Sequence, residues 1–564
     1  MNPVASVCRK CRSDFIVEPD DISYYDKIGV NHPDLCPPCR AQLRLSFRNE
    51  RVFYKRACDK CHKDVISMYS PNKPFIVWCY ECWFADDWDS AEYGIEYDQS
   101  RPFLEQFEEV WKKVPKIALI YVRSPGSEYI NISADSKNCY MIVESSNNED
   151  SIHSYWIQEC KDVIDTSFSS KCELTYESDD CFNSYKLFYS KGCHDSNNGY
   201  FLTDCRGCTD CIGCVNLRQR SNYIFNQPYS KEEYEDIKKN LALDTYAGVE
   251  AFREKYKEFL MREPRKFAET IQTINSTGNY MKNTKNCLSC FHCYEAEDNK
   301  YGEHVWRNAK DCMDVSTAGR NANSIYNSIN TGIDVANHIC VAQGWSSTFL
   351  EYSHNSFNSN YCFGCVGVRK KEYCILNKQY SKEEYESLTG SIRAQLKEKG
   401  EYGQFFPPQF SCFGYNETAA QEQFPLSKDE ALAQGFMWED TPRGTYGKET
   451  KALAEIPDSI NDVDFEVPKE IFACVSCTKN YRIIPNEFTF YQKLSIPLPR
   501  LCPDCRHMRR IEARGPNKLW QRKCICAKEN HDHAGECPNQ FQTSYSPERT
   551  EIIYCEACYQ REVV

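Results

Sequence analysis

The stretch Cys139-Tyr-Met-Ile-Val-Glu-Ser-Ser-Asn-Asn-Glu-Asp-Ser-Ile-His-Ser-Tyr-Trp-Ile-Gln-Glu-Cys160 begins and ends on cysteine, and the same step leads on to Cys181. Cys172, Cys193 and Cys214 keep that step of 21 as well. Between the cysteines lie short runs of Tyr, Phe, Ile and Val broken by Asn, Asp, Gly and Ser. Such runs favour strands and turns over helices. A fixed period near 20 residues marks a repeat architecture. The reading is a β-solenoid of about 21 residues per coil, with small cysteines stacked in a crowded interior. An ordinary β-sandwich is the alternative.

Working outward, the stretch belongs to a duplicated domain. Cys211-Ile-Gly-Cys214-Val-Asn-Leu-Arg218 matches Cys362-Phe-Gly-Cys365-Val-Gly-Val-Arg369. At the same distance beyond each comes Asn226-Gln-Pro-Tyr-Ser-Lys-Glu-Glu-Tyr234 or Asn377-Lys-Gln-Tyr-Ser-Lys-Glu-Glu-Tyr385. Residues 116–228 and 271–379 are therefore two solenoid-like repeats. The second is less regular, with steps of 22 from Cys290 to Cys312 and from Cys340 to Cys362. Its Asn-rich segment, residues 321–330, suits stacked amide ladders. Cys205, Cys208, Cys211 and Cys214, and likewise Cys287, Cys290 and Cys293, read as thiol-lined corners. An iron–sulfur cluster is the less favoured reading, because the spacing differs from the ferredoxin run.

Residues 229–270 and 380–465 read as connectors. Ser230 with Glu233, and Ser381 with Glu384, are capping boxes that start helices. Ser427 to Gly435 is a further short helix.

The two ends are copies of each other. Cys8-x2-Cys11, Cys36-x2-Cys39 and Cys58 recur with identical gaps as Cys474-x2-Cys477, Cys502-x2-Cys505 and Cys524. Two paired-cysteine turns deliver four thiolates, the tetrahedral set that zinc takes in structural sites. A second module follows each finger. At the N-terminus it holds Cys58, Cys61, Cys79 and Cys82; at the C-terminus, register gives Cys537, Cys555 and Cys558. An insert there leaves the fourth ligand open between Cys524, Cys526 and a histidine, His531 or His533. About four zinc ions are expected, one per four-ligand set. Cross-braced ligation, with the first and third pairs sharing an ion, is the rival arrangement. The domain order is then a finger at 1–57, a ribbon at 58–115, the two repeats with their connectors, a finger at 466–523 and a ribbon at 524–564.

The paired cysteines, the aromatic pair Tyr24-Tyr25 and the run from Pro33 to Arg40, repeated as Phe490-Tyr491 and Pro499 to Arg506, resemble a small bacterial family of treble-clef zinc-ribbon domains. The resemblance covers about 35 residues at each end. It implies zinc binding, with the first four cysteines standing alone, and no activity. The layout of the whole chain resembles uncharacterised cysteine-rich proteins of uncultivated small-genome bacteria, which implies no activity either.

The chain has 564 residues, 41% of them hydrophobic and 26% charged, enough for several packed domains. Its 35 cysteines are an odd number in a long chain without an export signal, so metal is favoured over a disulfide framework. No run spans a bilayer, and the expected location is cytoplasmic. A net charge of −13 argues against a general nucleic-acid coat. Two basic stripes nevertheless stand out: Arg40, Arg44, Arg48 and Arg51, and Arg506, Arg509, Arg510 and Arg514. On helices they present phosphate-binding forks, so nucleic acid is one candidate partner. The alternatives are a solvated helix face or pairing with acids of the same chain. A protein-binding scaffold is the second functional class. A carbohydrate-active solenoid enzyme is the third, with Glu149, Asp150, Asp162 and Asp165 as carboxylates of the right type only. His153 and His194 are isolated.

Overall fold

The computed structural model describes residues 2–563, apart from 298–299, 301, 303–312, 318–322, 324, 328, 330–331, 333 and 442–443. Cys312 and much of the Asn-rich segment lie outside the described residues.

Both repeats are β-solenoids, but the coil is shorter than the cysteine spacing suggests. Strands pair in parallel with a constant offset of twelve: Tyr185 with Asn197, Asn197 with Thr209, and Thr209 with Ser221. The second repeat does the same from Ala336 through Thr348 and Asn360 to Glu372. Each coil is built from triplets. Every third residue, including Asn138, Met141, Glu144, Asn147 and Asp150, has φ near +50° and turns a corner. The next residue points inward, and the one after it bridges to the neighbouring coil. Twelve residues per coil and one inward residue in three give four inward side chains per coil. The 21-residue step corrects itself in these terms: 21 is seven triplets, so Cys139, Cys160 and Cys181 all point inward without stacking on one another. The stacked columns follow steps of twelve, such as Cys181, Cys193 and Cys205.

Backbone accounting explains the inward residue types. Bridging residues donate forward, as Val143 N–H does to the Ser154 carbonyl at 3.1 Å, and corner residues donate back, as Trp156 N–H does to the Val143 carbonyl at 2.9 Å. The inward amide is reached by neither bond. Where the inward residue one coil earlier is Ser or Asn, its side chain accepts that N–H. Ile157 N–H donates to Ser145 Oγ at 3.1 Å, Cys181 N–H to Ser169 Oγ at 3.1 Å and Cys160 N–H to Asn148 Oδ1 at 2.9 Å. A buried amide left without a partner is costly, which is why serine alternates here with Ile, Leu, Val and Cys. Ser154 is such a residue: fully buried, it accepts from Thr166 N–H at 3.1 Å. Ser154→Ala is expected to destabilise the surrounding fold by about 1–3 kcal/mol, read from its unfolding midpoint. No measurable shift would show that another group takes over the Thr166 amide.

L-residues at left-handed corners cost roughly 1–2 kcal/mol each, so the corners need compensation. Part of it is aromatic stacking between coils. Tyr189 stacks on Phe201 at 4.7 Å, Phe349 on Tyr361 at 4.7 Å and Tyr361 on Tyr373 at 5.3 Å between ring centroids.

The chain divides into two compact units, each made of two separate segments. One unit comprises residues 1–119 and 268–440, and holds the N-terminal paired-cysteine modules with the second solenoid. The other comprises residues 120–267 and 441–564, and holds the first solenoid with the C-terminal modules. In the latter, Ile152, Ile164, Tyr176 and Phe188 on the outside of the coils pack with Ile483, Phe490, Tyr491 and Leu498 of the finger. Helices start where capping boxes stand. Ser230 begins Lys231–Asn240, Ser381 begins Lys382–Glu398 and Ser427 begins Lys428–Ala433. The first connector is two helices, with Tyr246–Leu260 restarting from the Thr245 cap.

Among the described residues, no helix is long and apolar enough to cross a membrane.

Candidate metal centres

The first finger begins with a hairpin, Val4–Val7 paired with Asp14–Val17. Cys8 and Cys11 sit on its turn, where Arg12 takes φ of 63°. Cys36 stands at the N-cap position of the helix Pro37–Leu45, which carries Cys39 in its first turn. The second finger repeats the plan. Cys474 and Cys477 follow Phe472–Ala473, and Cys502 stands at the N-cap position of Pro503–Arg514.

Four cysteine tetrads come together: Cys8, Cys11, Cys36 and Cys39; Cys58, Cys61, Cys79 and Cys82; Cys474, Cys477, Cys502 and Cys505; and Cys524, Cys537, Cys555 and Cys558. Neighbouring modules keep separate tetrads, so the pairs are consecutive and not cross-braced. The sulfurs are thiols, not disulfides. Cys11 and Cys36 lie 3.6 Å apart, Cys477 and Cys502 3.7 Å, Cys61 and Cys79 3.8 Å, and Cys537 and Cys555 3.9 Å. A tetrahedron with metal–sulfur bonds of about 2.3 Å has edges of about 3.8 Å. The sulfurs are thus already spaced for a small thiophilic ion.

A second regularity is shared by all four. The first cysteine of each tetrad accepts an N–H from the third: Cys36 to Cys8 at 3.3 Å, Cys79 to Cys58 at 3.2 Å, Cys502 to Cys474 at 3.3 Å and Cys555 to Cys524 at 3.2 Å. Such bonds favour the thiolate that a metal needs. Burial opposes ionisation of Cys58 and Cys474, yet donated backbone amides hold both thiols down at about 7. Each tetrad uses all four positions of a tetrahedron, which leaves none for a substrate.

The C-terminal ribbon departs from its N-terminal counterpart. Cys524 completes the tetrad, and the Cys526, His531 and His533 of the insert form a further group with Cys558.

The basic stripes are not exposed. Arg40, Arg44, Arg48, Arg506, Arg510 and Arg514 are buried, and each finger helix turns its arginines onto the solenoid of its own unit. Arg506 pairs with Asp165 at 2.7 Å and with Glu487 at 3.1 Å, and Arg510 reaches the same Asp165 at 3.3 Å. Arg514 pairs with Asp179 at 2.9 Å, and the part-exposed Arg509 with Glu177. The other finger copies this: Arg40 and Arg44 share Asp314, at 2.8 and 3.6 Å. Arg40 and Arg506 also donate to the carbonyls of Leu35 and Leu501. Arg48 meets Glu50, and Arg51 is half-buried. Of the readings open for these stripes, pairing with acids of the same chain is the one these contacts match. The six buried forks are held by carboxylates inside the fold.

Three of the four carboxylates considered for glycan chemistry have structural partners too. Asp165 is fully buried beneath the arginines. Glu149 pairs with Lys137 at 3.3 Å and Lys161 at 3.5 Å, and Asp150 accepts from Asn138 at 3.2 Å. Asp162 is a half-buried corner residue. His153 is buried 3.6 Å from Glu487, and His194 stacks on Phe182. Burial opposes ionisation of Glu487, but His153, Arg506 and Tyr491 outweigh it and hold its carboxyl down at about 2.

Cys205, Cys208, Cys211 and Cys214 are the four inward residues of a single coil. Each sulfur donates to a carbonyl two residues back, at 3.4–3.6 Å. Cys287, Cys290 and Cys293 occupy the same kind of positions in the second solenoid, with Ala296 at the fourth.

No protein-family model matches the chain, and none of the curated proteins does. Among solved structures the chain is similar to a protein assigned as an acetyltransferase from Desulfovibrio desulfuricans G20, at 10% identity over 48% of this chain and 70% of that one. The TM-score is 0.12, and at that value the likeness carries no argument about fold or activity.

Proposed function

We propose that the chain is a zinc-stabilised scaffold, in which four tetrathiolate zinc sites shape fingers that clamp the outer faces of two β-solenoids and leave their remaining surface to a protein partner. The observation that carries this reading is the pairing of closed tetrads with arginine-bearing helices whose charge is spent on the solenoid. Zinc fits the donor set because it takes four thiolates in a tetrahedron with no redox demand. The stacked aromatics Phe349 and Tyr361 are exposed and regular, the kind of face a partner can read.

Native mass spectrometry of the intact protein tests the metal half directly. At least four zinc ions are expected, and two or fewer overturns the reading. A titration with single- and double-stranded DNA and RNA over a salt series tests the partner class. Because the arginine forks are buried, no binding with the steep salt dependence of phosphate contacts is expected. Tight, salt-sensitive binding that weakens in Arg509→Ala would restore nucleic acid as the partner.

A further inference from the structure

The insert that separates the C-terminal ribbon from its N-terminal counterpart builds a second ligand set beside the tetrad. Cys526, His531, His533 and Cys558 place one ligand atom each within 4.8 Å of one another. Cys526 Sγ lies 3.1 Å from His531 Nδ1, and Cys558 Sγ lies 3.4 Å from His533 Nε2. Two cysteines and two histidines are a complete set for a structural zinc ion. Cys558 is also a member of the adjoining tetrad with Cys524, Cys537 and Cys555.

The surroundings are those of a prepared site. A metal-bound imidazole is normally fixed through its other nitrogen by a carboxylate or a backbone carbonyl. Both histidines have that partner. His531 Nε2 lies 3.1 Å from Glu562 Oε1, and His533 Nδ1 lies 2.9 Å from the Gly535 carbonyl. The loop is also pinned to the last helix, Glu556–Val563, which carries Cys558 and Glu562. Arg561 donates to the Asn530 carbonyl at 3.0 Å and pairs with Asp532, while Lys528 pairs with Glu562 at 3.2 Å. Cys537 N–H donates to the Cys526 carbonyl at 2.9 Å, tying the insert to the tetrad. Cys526 is fully buried and His531 nearly so.

We infer that the C-terminal ribbon holds a dinuclear zinc centre, with the Cys558 thiolate bridging one ion in the Cys524–Cys537–Cys555 set and a second held by Cys526, His531 and His533. This rests on the reading of the tetrads as zinc sites. Charge supports it. Five thiolates and two neutral imidazoles around two dications leave one net negative charge, against two for a single dication in four thiolates. A thiolate keeps lone pairs for a second metal bond, so sharing needs no extra ligand. Loading the second ion releases the Cys526 thiol proton to solvent, together with any proton on the imidazole nitrogens that bind it.

The counterpart ribbon, with Cys58, Cys61, Cys79 and Cys82, has no such insert and takes one ion. The full chain should therefore carry five zinc ions by native mass spectrometry. His531→Ala and His533→Ala should each carry four and stay folded, since the tetrad is untouched. Cadmium-113 NMR of the cadmium-loaded protein supplies the test of the bridge. Two resonances from the C-terminal ribbon should be mutually coupled through the shared sulfur, and His533→Ala should abolish both the coupling and one resonance. Four ions or fewer in the unsubstituted protein overturns the dinuclear centre, as do five ions with no cadmium–cadmium coupling. Two ions or fewer also overturns the tetrad reading on which it rests.

Discussion

Stripping metal from the intact protein with a strong chelator will unfold both fingers and both ribbons, at a loss of about 10–16 kcal/mol of folding free energy per site. The figure is that of a structural zinc site, and the secondary structure inside the modules offers little to replace it. Their strands are at most four residues long, as in Val4–Val7 and Tyr54–Ala57. Such short hairpins are marginal alone. Cys36→Ser should lose one ion and melt the first finger, because it removes a thiolate of the tetrad while leaving a good N-cap residue at the start of the helix Pro37–Leu45. The contrast lies inside the solenoid. Cys172 is buried at an inward position whose column continues as Ser184 and Ser196, each hydrogen-bonded like other inward serines. Cys172→Ser should keep every ion and cost less than about 1.5 kcal/mol. Metal counts and unfolding midpoints of the two variants separate ligand thiols from filler thiols. Equal effects would refute that division.

Arg506→Met will be the most damaging single change outside the metal sites, at about 3–5 kcal/mol. Arg506 is 1% exposed and answers two carboxylates, Asp165 and Glu487, that are themselves buried. Taking away the guanidinium leaves both negative charges in a poorly solvated interior, with Arg510 to serve Asp165 alone. Arg9→Ala is the control. Arg9 also sits in a finger and pairs with Asp34, but its side chain is 73% exposed, so a change within about 0.5 kcal/mol is expected. Denaturant midpoints of the two variants decide the matter. If Arg506→Met proves as mild as Arg9→Ala, the finger does not depend on this pairing for its seat on the solenoid.

The fingers were legible because ligand spacing is a local property of the chain: two residues between cysteines fix a turn whatever surrounds it. The solenoid was legible as a class and misread in its period. Cysteine is one of several fillers for the inward position, so gaps between cysteines sample multiples of three and hide the coil length. Ser145, Ser154 and Ser169 share that position, but serine looks like a loop residue until its amide partner one coil later is known. Corners at every third residue are written in no single residue type, since Asn138, Trp156 and Phe168 all turn one. The arginines show the reverse difficulty. Their helical spacing was plain, whereas Asp165 and Asp314, which neutralise them, lie far off in sequence. At the last site register leaves Cys524, Cys526 or a histidine as the fourth ligand, and the fold places Cys524 in the tetrad and Cys526, His531 and His533 in a second group with Cys558.

The interleaving of the two units has a consequence for synthesis. Cys8 to Cys82 leave the ribosome first, yet the Asp314 that receives Arg40 and Arg44 belongs to the second segment of that unit, beyond the whole of the first solenoid. At about 5–20 residues per second, the gap from residue 119 to residue 314 is a wait of roughly 10–40 s. Over that interval the newborn finger carries an unmet row of arginines, and the first solenoid, once made, carries Asp165 with its own finger still unmade. Each half-finished partner is thus offered the wrong mate before the right one exists. Arg40, Arg44 and Arg48 are spaced as Arg506, Arg510 and Arg514 are, so the nascent chain must discriminate between near-copies of itself.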